Sequence, residues 1–89
     1  MTKPIRFSGH ALNQLPRRGV NEDEVTEAIN TSPWQPAELG RLECCKNFAF
    51  GREWNGKFYQ TKQVRPIFVE ERRDRGRYRL LVLFLRRLI

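Results

Sequence analysis

The chain is poor in the residues that most catalytic and metal sites are built from. It has one histidine and two cysteines, and Cys44 and Cys45 are neighbours with no Cys-x-x-Cys spacing elsewhere. Adjacent cysteines do not close a strain-free disulfide, so free thiols and a cytoplasmic setting are expected. A single histidine and one vicinal thiol pair fall short of the three or four convergent ligands a zinc site needs, so no metal is expected. There is no glycine-rich phosphate loop, no serine with triad partners and no thiol with a second histidine to activate it; no cofactor is expected either. The longest apolar run, Leu80 to Leu85, is six residues, against the roughly 20 that cross a bilayer. Met1-Thr2-Lys3-Pro4 has no hydrophobic leader behind it, and the expectation is a protein with no membrane association.

What is present is charge, of one sign and in one half. The 89 residues carry a net charge of +7. Residues 1–40 hold four basic and five acidic side chains, whereas residues 41–89 hold thirteen basic and five acidic ones. Trp54, Phe58, Tyr59 and Tyr78 lie in the basic half. Cations that displace phosphate counterions, interleaved with rings that stack on bases, point to RNA. The same charge would also serve a noncatalytic module that binds an acidic partner protein. At this length there is room for one domain, residues 1–89, and 39% apolar residues suffice for its core.

The punctuation predicts the elements. Ile5 to Phe7 reads as a short strand, and Ser8 as the cap of a helix with Ala11, Leu12 and Leu15 inward, ended or kinked by Pro16 and Gly19. Asn21 and Glu24 form a capping box, Val20 staples onto Val25, and a helix follows over residues 22–31 with Val25, Ala28 and Ile29 buried. From Arg41 the pattern alternates as strands do. Asn55-Gly56 predicts a tight hairpin, Pro66 an edge or a bulge within residues 58–70, and Tyr78 to Leu85 the most apolar, central strand. The expectation is an α+β fold with two N-terminal helices on one face of a three- to four-stranded antiparallel sheet.

His10 is the candidate catalyst. Metal-independent cleavage of RNA needs a base, an acid and cations for the phosphorane charge. His10 would lie in the first turn of its helix, where the dipole disfavours protonation and suits the imidazole to the role of general base. Arg18, Lys46, Lys62 and Arg65 are the candidate phosphate holders, with Tyr59 or Tyr78 as stacking or proton-sharing groups. Lys62 and Arg65 are an odd number of residues apart and do not share a strand face. Arg72, Arg73, Arg75, Arg77 and Arg79 cluster at the last turn as a solvated rim or a docking patch.

The run His10-Ala11-x-x-Gln14-Leu15-x-x-Arg18-Gly19-Val20, with the capped acidic helix after it, resembles the DUF4258 family of small bacterial proteins, grouped with RelE- and BrnT-like toxins. The similarity continues through Tyr59-Gln60-Thr61-Lys62-Gln63-Val64-Arg65-Pro66-Ile67-Phe68-Val69-Glu70-Glu71. It implies a RelE-like arrangement, an mRNA-cleaving toxin and a partner antitoxin that blocks its basic cleft. Two departures stand out: Gln14 occupies a position where that family would place a cation, and the C-terminal strand is rich in leucine and arginine.

Overall fold

The computed structural model describes residues 4–54, 56–72 and 74–86, excluding the side chains of Phe50, Arg52, Trp54, Tyr59 and Asp74. Strand β1 (Ile5–Phe7) leads into helices α1 (Gly9–Arg17) and α2 (Glu22–Thr31). Two short strands follow, β2 (Gln35–Pro36) and β3 (Leu42–Glu43), and then a long pair, β4 (Lys46–Trp54) and β5 (Lys57–Val64). The last strands are β6 (Pro66–Arg72) and β7 (Tyr78–Leu85).

The architecture is α+β, as expected, but the sheet is not the three- to four-stranded antiparallel one. Five strands form a mixed sheet in the order β1-β7-β6-β3-β2, and β4 and β5 form a separate two-stranded ribbon. β1 runs parallel to β7, with Ile5 opposite Leu80 and Phe7 opposite Val82. A three-residue strand carries no sequence signal for its partner or direction, so this pairing was invisible to periodicity. The stretch expected over residues 58–70 is two strands. Pro66 opens β6 at a position where its missing N–H costs least, and the chain passes from ribbon to sheet at Arg65. A register shift between Ile67 and Phe68 supplies the expected bulge.

Both helix starts are as the residues dictate. The Ser8 hydroxyl accepts from Ala11 N at 3.0 Å and donates to the Leu83 carbonyl at 2.7 Å, so one side chain caps α1 and ties it to β7. Pro16 lies within the last turn of α1 and does not end it. The helix closes one residue later in a Schellman motif: Val20 N donates to Leu15 O at 3.0 Å and Gly19 N to Pro16 O at 3.3 Å. Gly19 has φ +63°, the left-handed position this motif requires. α2 spans the predicted residues, and its Asn21–Glu24 capping box is formed in both directions. The Asn55-Gly56 hairpin falls partly outside the described residues; Gly56 has φ +78°, as such a turn demands.

Ala11 and Leu15 of α1 and Val25, Ala28 and Ile29 of α2 meet Phe68, Leu80, Val82 and Leu85 in one core. Leu12, expected inward, is 43% exposed. It lies one residue past Ala11, about 100° round the helix, and so leaves the stripe that Ala11 and Leu15 share.

Gln14 explains its own departure from the resembled family. Leu85 N donates to Gln14 Oε1 at 2.6 Å, and Gln14 Nε2 donates to Leu85 O at 3.3 Å. β1 has ended by this level of the sheet, so the side-chain amide takes the place of a neighbouring strand. A lysine or arginine could donate to Leu85 O but could not accept from Leu85 N. Gln14→Ala should lower the unfolding free energy by about 2 kcal/mol, because two backbone groups lose their partner. Urea unfolding with an unchanged m-value is the measurement, and an unchanged midpoint for the alanine variant would contradict this role.

Candidate functional site

α1 separates the two residues that open the His10–Arg18 run. His10 is the second residue of the helix and is exposed, while Arg18 is its C-cap. Eight residues of helix put their backbones about 12 Å apart along the axis, so a single phosphate group does not bridge them directly.

The candidate cations of the ribbon are engaged with acids. Lys46 and Lys62 share one face of the ribbon, since Lys46 opposes Val64 and Phe48 opposes Lys62. That face meets α2. Lys46 Nζ is 2.7 Å from Glu27 Oε2, 2.9 Å from Thr31 Oγ1 and 5.7 Å from the centre of the Phe48 ring. Lys62 Nζ is 2.8 Å from Glu24 Oε1 and also donates to the Gly19 carbonyl, which places it beside Arg18 at the corner between the helices. Arg65 lies between β5 and β6, so the strand-face argument from its spacing to Lys62 does not apply to it; its guanidinium is 3.6 Å from Glu43. The acids of α2 thus do double duty: they favour the positive end of the helix and clamp the ribbon base. The side chain of Tyr59 lies outside the described residues; its backbone opposes Arg52.

Arg65, Pro33, Gln35, Glu43, Cys44 and Cys45 line a shallow cavity of about 120 Å³. Ligand pockets usually offer about 300 Å³ or more, so this one is too small for a nucleotide. Arg65 Nε is buried without a hydrogen-bond partner among the described residues. Across the neighbouring strands Arg86 bonds Glu38 and lies 3.5 Å from Glu43. The Arg86 hydrogen bond holds the Glu38 carboxyl below its usual range, and Glu38 raises Arg86 in return.

The two cysteines are free and differ sharply in environment. Cys44 is 3% exposed, and burial pushes its thiol from an ordinary 9.0 up to about 12, helped by Cys45 and Glu43. Among the described residues no group of three or more His, Cys, Asp or Glu side chains is arranged to hold a metal.

One group of arginines without such engagement is at the other end of the sheet. Arg72 ends β6 and lies directly opposite Tyr78, which begins β7, so both project to the same face. Tyr78 is 43% exposed, and Arg72, Arg75 and Arg77 are exposed and form no ion pair among the described residues. Arg79, next along β7, points to the opposite face and bonds Glu71 at 2.6 Å. Arg75 has φ +62°, and Gly76 after it has φ +73°. A side chain in the left-handed region costs about 1 kcal/mol, so the turn holds an arginine where glycine would be easier. His10 is far from this group. Ser8 bonds β7 at Val82 and Leu83, and the five residues from Tyr78 to Leu83 span about 17 Å.

No family model, curated protein or solved structure matches the chain. No helix among the described residues is long and apolar enough to cross a membrane.

In thiol titration at mildly alkaline pH the native protein should expose one reactive group per chain, Cys45, and a second only on unfolding. The neutral Cys44 thiol favours the folded state. Its contribution is complete below pH 9.0, where folded and unfolded chains both keep the proton, and is lost as pH rises through about 12. Rapid reaction of both thiols in the native state would contradict this burial.

Proposed function

We propose that the chain is an RNA-binding domain of the RelE- and BrnT-like kind, and that it holds RNA at the Arg72–Tyr78 end of the sheet. The observation that carries this reading is the cross-strand pair of Arg72 and Tyr78 on one face, with Arg75 and Arg77 in the intervening turn. An accessible ring beside guanidinium groups offers stacking for a base and bidentate bonds for the phosphates on either side of it. The strained Arg75 fits a turn kept for its side chain. The charge of the second half and the resemblance of the His10–Val20 run to toxin-like proteins support the same class.

Binding has more support than metal-independent cleavage. The proposed base, His10, is a helix length from Arg18 and further from the arginine turn, and Lys46, Lys62 and Arg65 each face a carboxylate. An acidic partner protein would also be drawn to the arginines, but the exposed ring among them favours a ligand with bases to stack.

The test is fluorescence anisotropy with single-stranded RNA over a range of salt. Replacing Arg72, Arg75 and Arg77 together by alanine should reduce the slope of log K against log salt by about 2, close to the value for three single-strand phosphate contacts. Tyr78→Ala should weaken binding by about 1–3 kcal/mol, with Tyr78→Phe close to the parent. Arg75→Gly should weaken binding while raising stability by up to about 1 kcal/mol, since it removes the left-handed strain. His10→Ala should leave affinity within about twofold. Salt-insensitive binding, or capture of an acidic protein with no RNA affinity, would overturn the proposal.

A further inference from the structure

The ribbon of β4 and β5 leaves the body of the molecule. Along one face of β5 the side chains go from Val64, 1% exposed, through half-buried Lys62 and exposed Gln60 to Phe58, 60% exposed. Among the described residues the anchors of the ribbon to α2 and the core are at its base, Lys46, Phe48, Lys62 and Val64. The molecule measures 49 × 24 × 23 Å, with a radius of gyration of 13.6 Å, where a compact chain of this length has about 12 Å. Beyond the base, neither edge of the ribbon pairs with another described strand. A two-stranded ribbon with both edges open is marginal on its own in water.

The composition of this arm is unlike that of the rest of the basic half. Residues 47–61 contain five of the ten aromatic residues, Phe48, Phe50, Trp54, Phe58 and Tyr59, and their only charged residues are Arg52, Glu53 and Lys57. A net charge of one on fifteen residues is too weak to grip a phosphate backbone or an acidic protein. It is low enough to let two copies of a strongly basic chain approach each other here. The accessible surface is 6268 Å², whereas a compact monomer of this mass exposes about 5,500 Å². The excess, about 800 Å² over the scaling value, accompanies the elongated shape.

We infer that the β4–β5 ribbon is a self-association arm, and that two copies of the chain pair their ribbons about a twofold axis. A strand edge meeting its own symmetry mate satisfies the open ladder and covers the exposed Phe58 in one step. The inference does not rest on RNA binding, because the Arg72–Tyr78 turn lies outside the ribbon.

Sedimentation of the full chain over about a hundredfold range of concentration is the test. A monomer–dimer equilibrium is expected, and it should tighten with added salt, because salt screens the repulsion between the two +7 chains. RNA binding by the proposed site weakens with salt, so the two activities separate. Phe58→Glu should weaken the dimer about tenfold or more. Hydrogen exchange provides a readout without mutation: amides of β4 and β5 should become more protected as the dimer forms. A chain that stays monomeric throughout would overturn the inference. So would a dimer that forms with no change in ribbon exchange, or one that a folded Phe58→Glu variant leaves intact.

Discussion

The parallel pairing of β1 with β7 is the constraint on which the rest of the structure depends. It joins the two ends of the chain: the Ser8 hydroxyl and the Leu83 carbonyl are 75 residues apart in sequence. Ser8 then starts α1 at a fixed point above β7, and Gln14 fastens the same helix to Leu85 where β1 no longer reaches. With both bonds made, α1 can only present Ala11 and Leu15 to the sheet, and its Schellman turn hands the chain to α2 with Val20 already in the core. Contacts of such sequence separation close large loops, so the native sheet forms only when nearly the whole chain is in place.

Charge is distributed according to mechanical need. Glu24 and Glu27 of α2 take Lys62 and Lys46 of the ribbon, and Glu43 and Glu38 take Arg65 and Arg86 across strand connections. Pairs at the surface add little to stability, because water screens them. Their consequence is positional: they fix the ribbon base against α2 and withdraw those cations from ligand binding. Among the described residues Arg72, Arg75 and Arg77 form one exposed group without ion pairs, whereas residues 47–61 of the ribbon carry a net charge of one. The two proposed surfaces would therefore differ in chemistry, one relying on phosphate attraction and one on burial of apolar area.

Much of the N-terminal half was legible from local rules. Ser8, Gly19 and the Asn21–Glu24 box act within a few residues of themselves, so their spacing predicts their geometry, and the bounds of α2 follow. Leu12 shows the limit of that reading: the side of α1 it occupies is set by where Ser8 and Gln14 clamp the helix. The second half was legible as strands but not as two sheets. The break at Arg65-Pro66 was visible as a proline; that it separates a ribbon from a sheet was not.

By itself the sequence determined the caps, the span of α2, the apolar strand Tyr78–Leu85 and the basic bias of the second half. These depend on neighbours within about one turn or on the period of a strand. Only the tertiary structure decided that β1 lies parallel to β7 and that Lys46 and Lys62 face acids. It alone fastened Gln14 of α1 to Leu85 at the end of β7. Each of these is a meeting of residues distant in the chain, and side-chain periodicity carries no record of which strand lies beside which.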